Sequence, residues 1–243
     1  MAQGRRRQLE AALVAHGSSV DVDAVCALCV SHLSVSGAGA TVLTRIGEAS
    51  GDGLRRGLVH ATNEISSGLE DLQLTVGEGP CLDAFASGGP VLISDLAAET
   101  TRWPGFSPGA LKLGAAALFS FPLEVGVVRL GSLDLYRDVP GPLSGELLSD
   151  ALILADLVTQ AIVHELDGHA IEDLSWLDDP HAEVHQASGM LQVQLDSSTE
   201  VALLRLRSYA YTHELPITEV ARQVVSRKLR FRPDDDPTSS AGM

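Results

Sequence analysis

Ala115-Ala116-Ala117-Leu118-Phe119-Ser120-Phe121-Pro122 and, two residues on, Val125-Gly126-Val127-Val128-Arg129-Leu130-Gly131-Ser132-Leu133-Asp134-Leu135-Tyr136 decide the fold class. Both runs are rich in aromatic, aliphatic and β-branched residues, and the short gap between them predicts a hairpin. Upstream, residues 97–114 predict irregular or short-helical chain holding Trp103 and Phe106, and residues 91–93 a short strand. Val76-Gly77-Glu78-Gly79-Pro80-Cys81 predicts a turn feeding a short helix over 81–86. Residues 63–74 predict a helix, and 40–46 and 54–61 two strands around Ser50-Gly51-Asp52-Gly53. Strand pair, helices, strand, loop and strand pair make an α+β fold with an antiparallel sheet, not a βαβ repeat.

Outward from this centre the chain is helical. Residues 5–34 predict two helices around a break at 16–20, with Asp21 capping the second. Val22, Val25, Cys26, Cys29, Val30 and Leu33 share one face of it. Residues 144–169 predict one long helix whose apolar positions cover more of its circumference than one buried stripe needs. A second copy of the same helix is the simplest partner for the surplus, so a homodimer is expected there. Pro180 marks a boundary, and residues 181–231 predict three helices. The second opens on Ser197-Ser198-Thr199-Glu200, read as a capping box using Ser197 and Glu200. The divisions are an N-terminal helical arm (1–17), a central domain (18–166), a linker (167–180), a C-terminal module (181–232) and a disordered tail (233–243).

The chain has 243 residues and formal charge −15, unevenly spread. Residues 205–232 hold seven bases and two acids, while residues 1–204 hold 27 acids and ten bases. That balance excludes a surface that coats nucleic acid indiscriminately, and leaves one basic segment on an acidic body. The most apolar long stretch, 147–163, contains Asp150, Asp156 and Gln160 and falls short of the ~20 residues of a membrane span. Three cysteines make no disulfide framework, so a cytoplasmic protein is expected.

Little in the sequence argues for catalysis. Cys26 and Cys29 have CxxC spacing but lie mid-helix on an apolar face, with no second pair to complete a zinc site. Cys81 follows a glycine-rich turn at a helix start, where a thiolate is favoured, but no base is fixed near it in sequence. His164 and His169 are five apart and cannot share one metal on a helix, while His181 and His185 read as a surface pair. Glu70-Asp71, Glu172-Asp173 and Asp178-Asp179 read as solvated faces. No catalytic residue and no metal ligand is expected. The basic segment is more informative: Arg205, Arg207, Arg222, Arg227, Lys228, Arg230 and Arg232 surround Tyr209 and Tyr211. Arginine for phosphate and an aromatic for base stacking suit a small RNA reader.

Three runs in this segment resemble the ANTAR domain: His185-Gln186-Ala187-Ser188-Gly189-Met190-Leu191, Glu200-Val201-Ala202-Leu203-Leu204-Arg205-Leu206-Arg207-Ser208-Tyr209-Ala210 and Ile217-Thr218-Glu219-Val220-Ala221-Arg222-Gln223-Val224-Val225. The resemblance, strongest to actinobacterial members, implies a three-helix module that binds paired RNA hairpins and prevents transcription termination. Arg205, Arg207, Tyr211, Arg222, Arg227 and Lys228 would then carry RNA contact. Ser188 departs from the family, which commonly has Ala-Lys-Gly where this chain has Ala187-Ser188-Gly189, removing one phosphate contact.

Residues 18–166 resemble a GAF domain, through Val76–Leu82, residues 91–96, Arg102-Trp103-Pro104, Phe121-Pro122-Leu123 and Gly131-Ser132-Leu133-Asp134-Leu135-Tyr136. This implies a six-stranded antiparallel sheet with helices on one side and a small-molecule pocket. Cys81, Asp83, Trp103, Phe106, Phe119 and Phe121 are its candidate lining, plain core being the other reading of the aromatics. No cofactor is expected beyond an unidentified effector. Together the resemblances imply a signal-responsive RNA-binding antitermination regulator. The alternatives are a GAF-fold small-molecule or redox enzyme using Cys81, and a dimeric signalling protein without RNA binding.

Overall fold

The computed structural model describes residues 2–15, 21–46, 53–166, 181–213 and 215–232. The expected break at 16–20, most of the turn at 50–53, the linker up to Pro180, the helix end at His169 and the tail from 233 lie outside the described residues.

A five-stranded antiparallel sheet forms the centre, in the order β2-β1-β5-β4-β3. Its strands are β1 (Gly37–Ile46), β2 (Gly53–Ala61), β3 (Val91–Ile93), β4 (Ala117–Val125) and β5 (Val128–Arg137). The hairpin β4–β5 pairs Val125 with Val128 at its tip and Ala117 with Arg137 at its base. β3 pairs only with Leu118–Ser120, so Pro122 lies where β4 has a free edge and its missing N–H breaks no ladder on that side. The sixth strand implied by the resemblance is not found among the described residues. Residues 96–113 form a short 3-10 turn (Leu96–Glu99) and helix α5 (Ser107–Leu113) instead.

Helices cover both faces of this sheet, not one. Away from the exposed hairpin tip, consecutive residues of β4 and β5 are buried, so neither face of their central part is left to water. On one face pack α1 (Ala2–Ala15), α2 (Val22–Leu33) and α6 (Gly145–Leu166), around Phe119, Phe121, Leu133 and Leu135. On the other pack α3 (Glu64–Val76), α4 (Pro80–Ser87) and α5. Asp21 caps α2 by accepting from the Ala24 N–H, and Cys26 and Cys29 lie in the core as their spacing predicts.

The long helix α6 buries much of its apolar surface inside its own chain. Leu9 and Leu13 of α1 and Val22, Val25 and Cys29 of α2 share one core with Leu154, Leu157, Val158 and Ile162. Polar ties reinforce this packing: Arg5 Nε meets Asp150 at 3.2 Å and His32 meets the same carboxylate at 3.0 Å. Although α6 is long and apolar enough to cross a membrane, half of its most apolar window is buried in this core. Leu152 and Val163 stay exposed on its outer side.

After the linker, α7 (Ala182–Leu195), α8 (Thr199–Thr212) and α9 (Ile217–Val225) form a three-helix module. Its core is Val184, Ala187, Leu191, Ala202, Leu206, Ala210, Ile217, Val220 and Val224. Ser198, not Ser197, caps α8, accepting from the Val201 N–H at 3.3 Å. That places Glu200 in the first turn, where it favours the positive helix end, and not at the reciprocal capping position.

Candidate functional site

The Val76–Cys81 turn joins α3 to α4, and each of its polar or glycine positions has a task. Gly77 ends α3 in a left-handed conformation (φ 75°), its N–H bonding the Gln73 carbonyl. Gly79 (φ 141°) opens α4, where a Cβ would come within 2.5 Å of Gln73 Oε1. That same amide oxygen accepts from the Cys81 N–H at 2.9 Å. Glu78 Oε1 accepts from the N–H groups of Gly105 (2.6 Å) and Phe106 (3.1 Å), holding the Trp103–Phe106 segment against the turn.

Behind α3 and α4 lies a buried polar cluster. The Arg56 guanidinium, 2% exposed, pairs with Glu70, 1% exposed, and Thr41 Oγ1 donates to the same carboxylate at 3.0 Å. Arg56 Nε and Nη1 are buried without a hydrogen-bond partner. Asp134 accepts from Ser120 and, at 2.7 Å, from Ser132; burial raises its pKa against these two bonds. The ligand atoms of Glu70, Cys81 and Asp134 lie within 4.8 Å of one another, and Arg56 supplies the balancing positive charge. Beside the cluster is a small cavity of about 10 Å³ lined by Glu70, Gln73, Asp134 and Tyr136, space for about one water molecule. Burial pushes the Cys81 thiol up to about 12, so it is a neutral thiol at physiological pH and a poor nucleophile.

The candidate pocket residues do not converge. Trp103 and Phe106 pack on the α3–α5 face of the sheet, at 6.3 Å and nearly perpendicular. Phe119 and Phe121 point to the opposite face among α2 and α6. The alternation of β4 requires that split: odd positions from 117 to 123 face one side, and Leu118 and Ser120 the other. Asp83 sits at the surface and binds Arg102, whose guanidinium also lies 4.4 Å over the Trp103 ring. Of the six, only Cys81 borders the buried cluster. Sequence reasoning missed Arg56, Glu70 and Gln73, and read Glu70-Asp71 as a solvated pair.

In the C-terminal module the six candidate RNA residues also separate. Tyr211, Arg227 and Lys228 are exposed. Arg222 is exposed but tied to Glu219 at 2.8 Å and Glu183 at 3.5 Å. Arg205 donates to the Arg232 carbonyl at 3.2 Å, fastening α8 to the segment after α9. That segment and α7 enclose an open groove of about 1030 Å³ edged by Arg227, Arg230, Phe231 and Arg232 on one side and Gln186 and Met190 on the other. Gly189 forms part of its wall, and a side chain there would meet nothing within 4 Å. Ser188 faces inward, its hydroxyl donating to the Thr199 carbonyl at 3.3 Å. Its position joins α7 to α8, so in this arrangement it does not present a side chain to a phosphate.

Arg207 has a different place from the one expected. Its Nε donates to the Leu74 carbonyl at 2.8 Å, and burial lowers its pKa to about 10. Leu74 itself is part of the C-terminal module's core. His181 and His185, expected as a surface pair, are anchors of the same junction. His181 is fully buried and its Nε2 pairs with Asp71; His185 Nε2 donates to the Arg56 carbonyl at 2.7 Å. The carbonyl can only accept, which fixes the proton of His185 on Nε2. The i, i+4 spacing put both imidazoles on one face, but nothing local shows that this face is covered.

The sequence matches no protein-family model and no curated protein. The fold is similar to solved GAF domains. One is the GAF domain of an Acinetobacter phosphoenolpyruvate-protein phosphotransferase: 14% identity, TM-score 0.49, 70% of this chain and 96% of that one. The fold is also similar to a solved domain assigned to a two-component sensor histidine kinase protein from Sinorhizobium meliloti: 20% identity, TM-score 0.44, 62% and 94% coverage. A third is the GAF-B domain of DevS from Mycobacterium smegmatis: 14% identity, TM-score 0.40, 61% and 96% coverage.

Proposed function

We propose that the chain is a cytoplasmic, signal-responsive RNA-binding regulator, with a GAF-type sensor and an ANTAR-type output module acting on paired hairpins to control transcription termination. The observation that carries this reading is the C-terminal module itself. It has three helices with their own core, and its free cations Arg227, Lys228 and Arg230 cluster at the end of α9 beside an open groove. On a chain of net charge −15, that cluster is where a polyanion gains attraction without meeting the acidic body. Arg227, Lys228, Arg230 and Tyr211 are the contacts available as the molecule stands, and Arg205 borders them. A redox or nucleophilic role for Cys81 is disfavoured by its buried, neutral thiol.

The proposed assembly is a homodimer through α6, on the side where Leu152 and Val163 are exposed. The proposed effector is a small molecule acting on the sensor.

The test is binding of the full chain to a paired RNA hairpin across a salt series. Arg227→Glu with Arg230→Glu is expected to remove binding, and affinity is expected to fall steeply with salt in the wild type. Binding that is absent in the wild type, or unchanged in both strength and salt slope by the charge reversals, overturns the reading.

A further inference from the structure

Helix α3 presents two different surfaces. Glu70 and Gln73 point into the sensor's buried cluster, to Arg56 and to the Cys81 N–H. Asp71 and the Leu74 carbonyl point out of it, to His181 and Arg207 of the C-terminal module. Adjacent residues are turned by about 100° on a helix, so one rigid element touches both sites. A second link runs beside it. The Arg56 side chain is held by Glu70 inside the cluster, while the carbonyl of the same residue accepts from His185 of α7.

The contact with Arg207 has a specific physical basis. Leu74 belongs to the last turn of α3, whose carbonyls have no donor within the helix. A guanidinium there satisfies one of them and sits at the negative end of the helix dipole. Gly77 makes the approach possible: a Cβ at that position would lie 2.8 Å from Arg207 Nη1. Arg207 thus completes the end of α3 through its Nε–H, and while it does so its guanidinium is half-buried against that helix.

We infer that α3 is a transmission helix: the packing of the Arg56–Glu70 cluster decides whether the C-terminal module stays docked through His181, His185 and Arg207, and release of that dock uncovers Arg207. That release also enlarges the cationic surface offered to RNA rests on the reading given under Proposed function; the docking and its control do not.

The experiment is labelling of the full chain with phenylglyoxal, which modifies accessible guanidinium groups, with the Arg207 peptide quantified by mass spectrometry and the exposed Arg227 as internal standard. Three variants are compared with wild type. Thr41→Val and Glu70→Gln disturb the cluster without touching the module, and Asp71→Lys disturbs the dock directly. Trp103 emission, read in a Trp176→Phe background, reports that the sensor remains folded, and the milder Thr41→Val keeps the test open if Glu70→Gln does not fold. Arg207 is expected to be modified about tenfold faster in all three, with Arg227 unchanged, as when loss of one buried polar interaction raises a local opening. Acceleration in Asp71→Lys but in neither cluster variant means that α3 does not transmit, and overturns the inference. So does a wild-type rate in every variant. Hairpin affinity is measured on the same samples. Affinity that rises with Arg207 labelling supports the full sequence of events. Faster labelling with no RNA binding in any sample retires the RNA reading and leaves the transmission helix standing.

Discussion

The Arg207 Nε–H donates to the Leu74 carbonyl at 2.8 Å, so a side chain of the C-terminal module closes the last turn of α3. The two residues are 133 positions apart, and the bond is reinforced by burial of Leu74 in the module's own core. Arg207→Ala removes the charged donor of this carbonyl. It is expected to destabilise the full chain by about 1.5–3 kcal/mol, the range for hydrogen bonds from charged groups. Urea unfolding checks this; a midpoint equal to wild type contradicts it.

The Arg56–Glu70 pair is the most deeply buried ion pair among the described residues, and Arg56 already has two N–H groups without partners. Glu70→Gln leaves its charge uncompensated and is expected to cost about 3–5 kcal/mol. Arg56→Met together with Glu70→Met removes both charges and is expected to cost clearly less than the single change. A double-mutant cycle by thermal unfolding decides it; strict additivity would show that the pair is not coupled.

Cys29 and Cys81 have thiols pushed by burial from 9.0 to about 12, and Cys26 is raised as well. Above pH 9 the unfolded chain releases these protons while the folded chain keeps them. The folded state then binds more protons, so stability falls as pH rises from about 9 towards 12 and is unaffected below. Cys29→Ala is expected to flatten that fall by close to one proton per molecule. Stability measured by urea unfolding from pH 7 to 10.5 tests it, and a slope identical to wild type rules it out.

Phe119 and Phe121 are fully buried on the sheet face opposite α3 and α4. As core they are expected to cost about 3–5 kcal/mol each when cut to Ala. Urea unfolding of each variant checks this; a wild-type midpoint in either contradicts its place in the core.

The parts of this fold that were legible in the sequence depend on neighbours along the chain. Val22, Val25, Cys26, Cys29 and Leu33 repeat with helical spacing, and Asp21 stands where a cap belongs, so α2 reads directly. The β4–β5 pair and the five strand segments also read from local composition. The residues that were misread have their partners elsewhere. Glu70 looks like half of a solvated acidic pair until Arg56, on β2, comes over it. His181 looks exposed until Asp71 arrives from 110 residues away. Arg207 looks like one more cation of a basic helix until α3 ends against it. A sixth strand and helices on one side came from family resemblance, and the buried positions on both faces of β4 and β5 overrule the second of these. Arg230 and Arg232 stood in the basic segment but were passed over as contacts, because their helix had already ended and only the folded chain brings them beside α7.

Gly77 bears on how interchangeable the two halves of the molecule are. With a hydrogen atom for a side chain, it shapes a notch fitted to a guanidinium belonging to the other half. The domain that holds α3, grafted onto a foreign C-terminal unit, would arrive with an open helix end and with Leu74 bare to water. A C-terminal module expressed alone would carry a loose arginine and a hole in its core. The halves are therefore cut to each other, and a chimera keeps this junction only if it carries both sides of that notch.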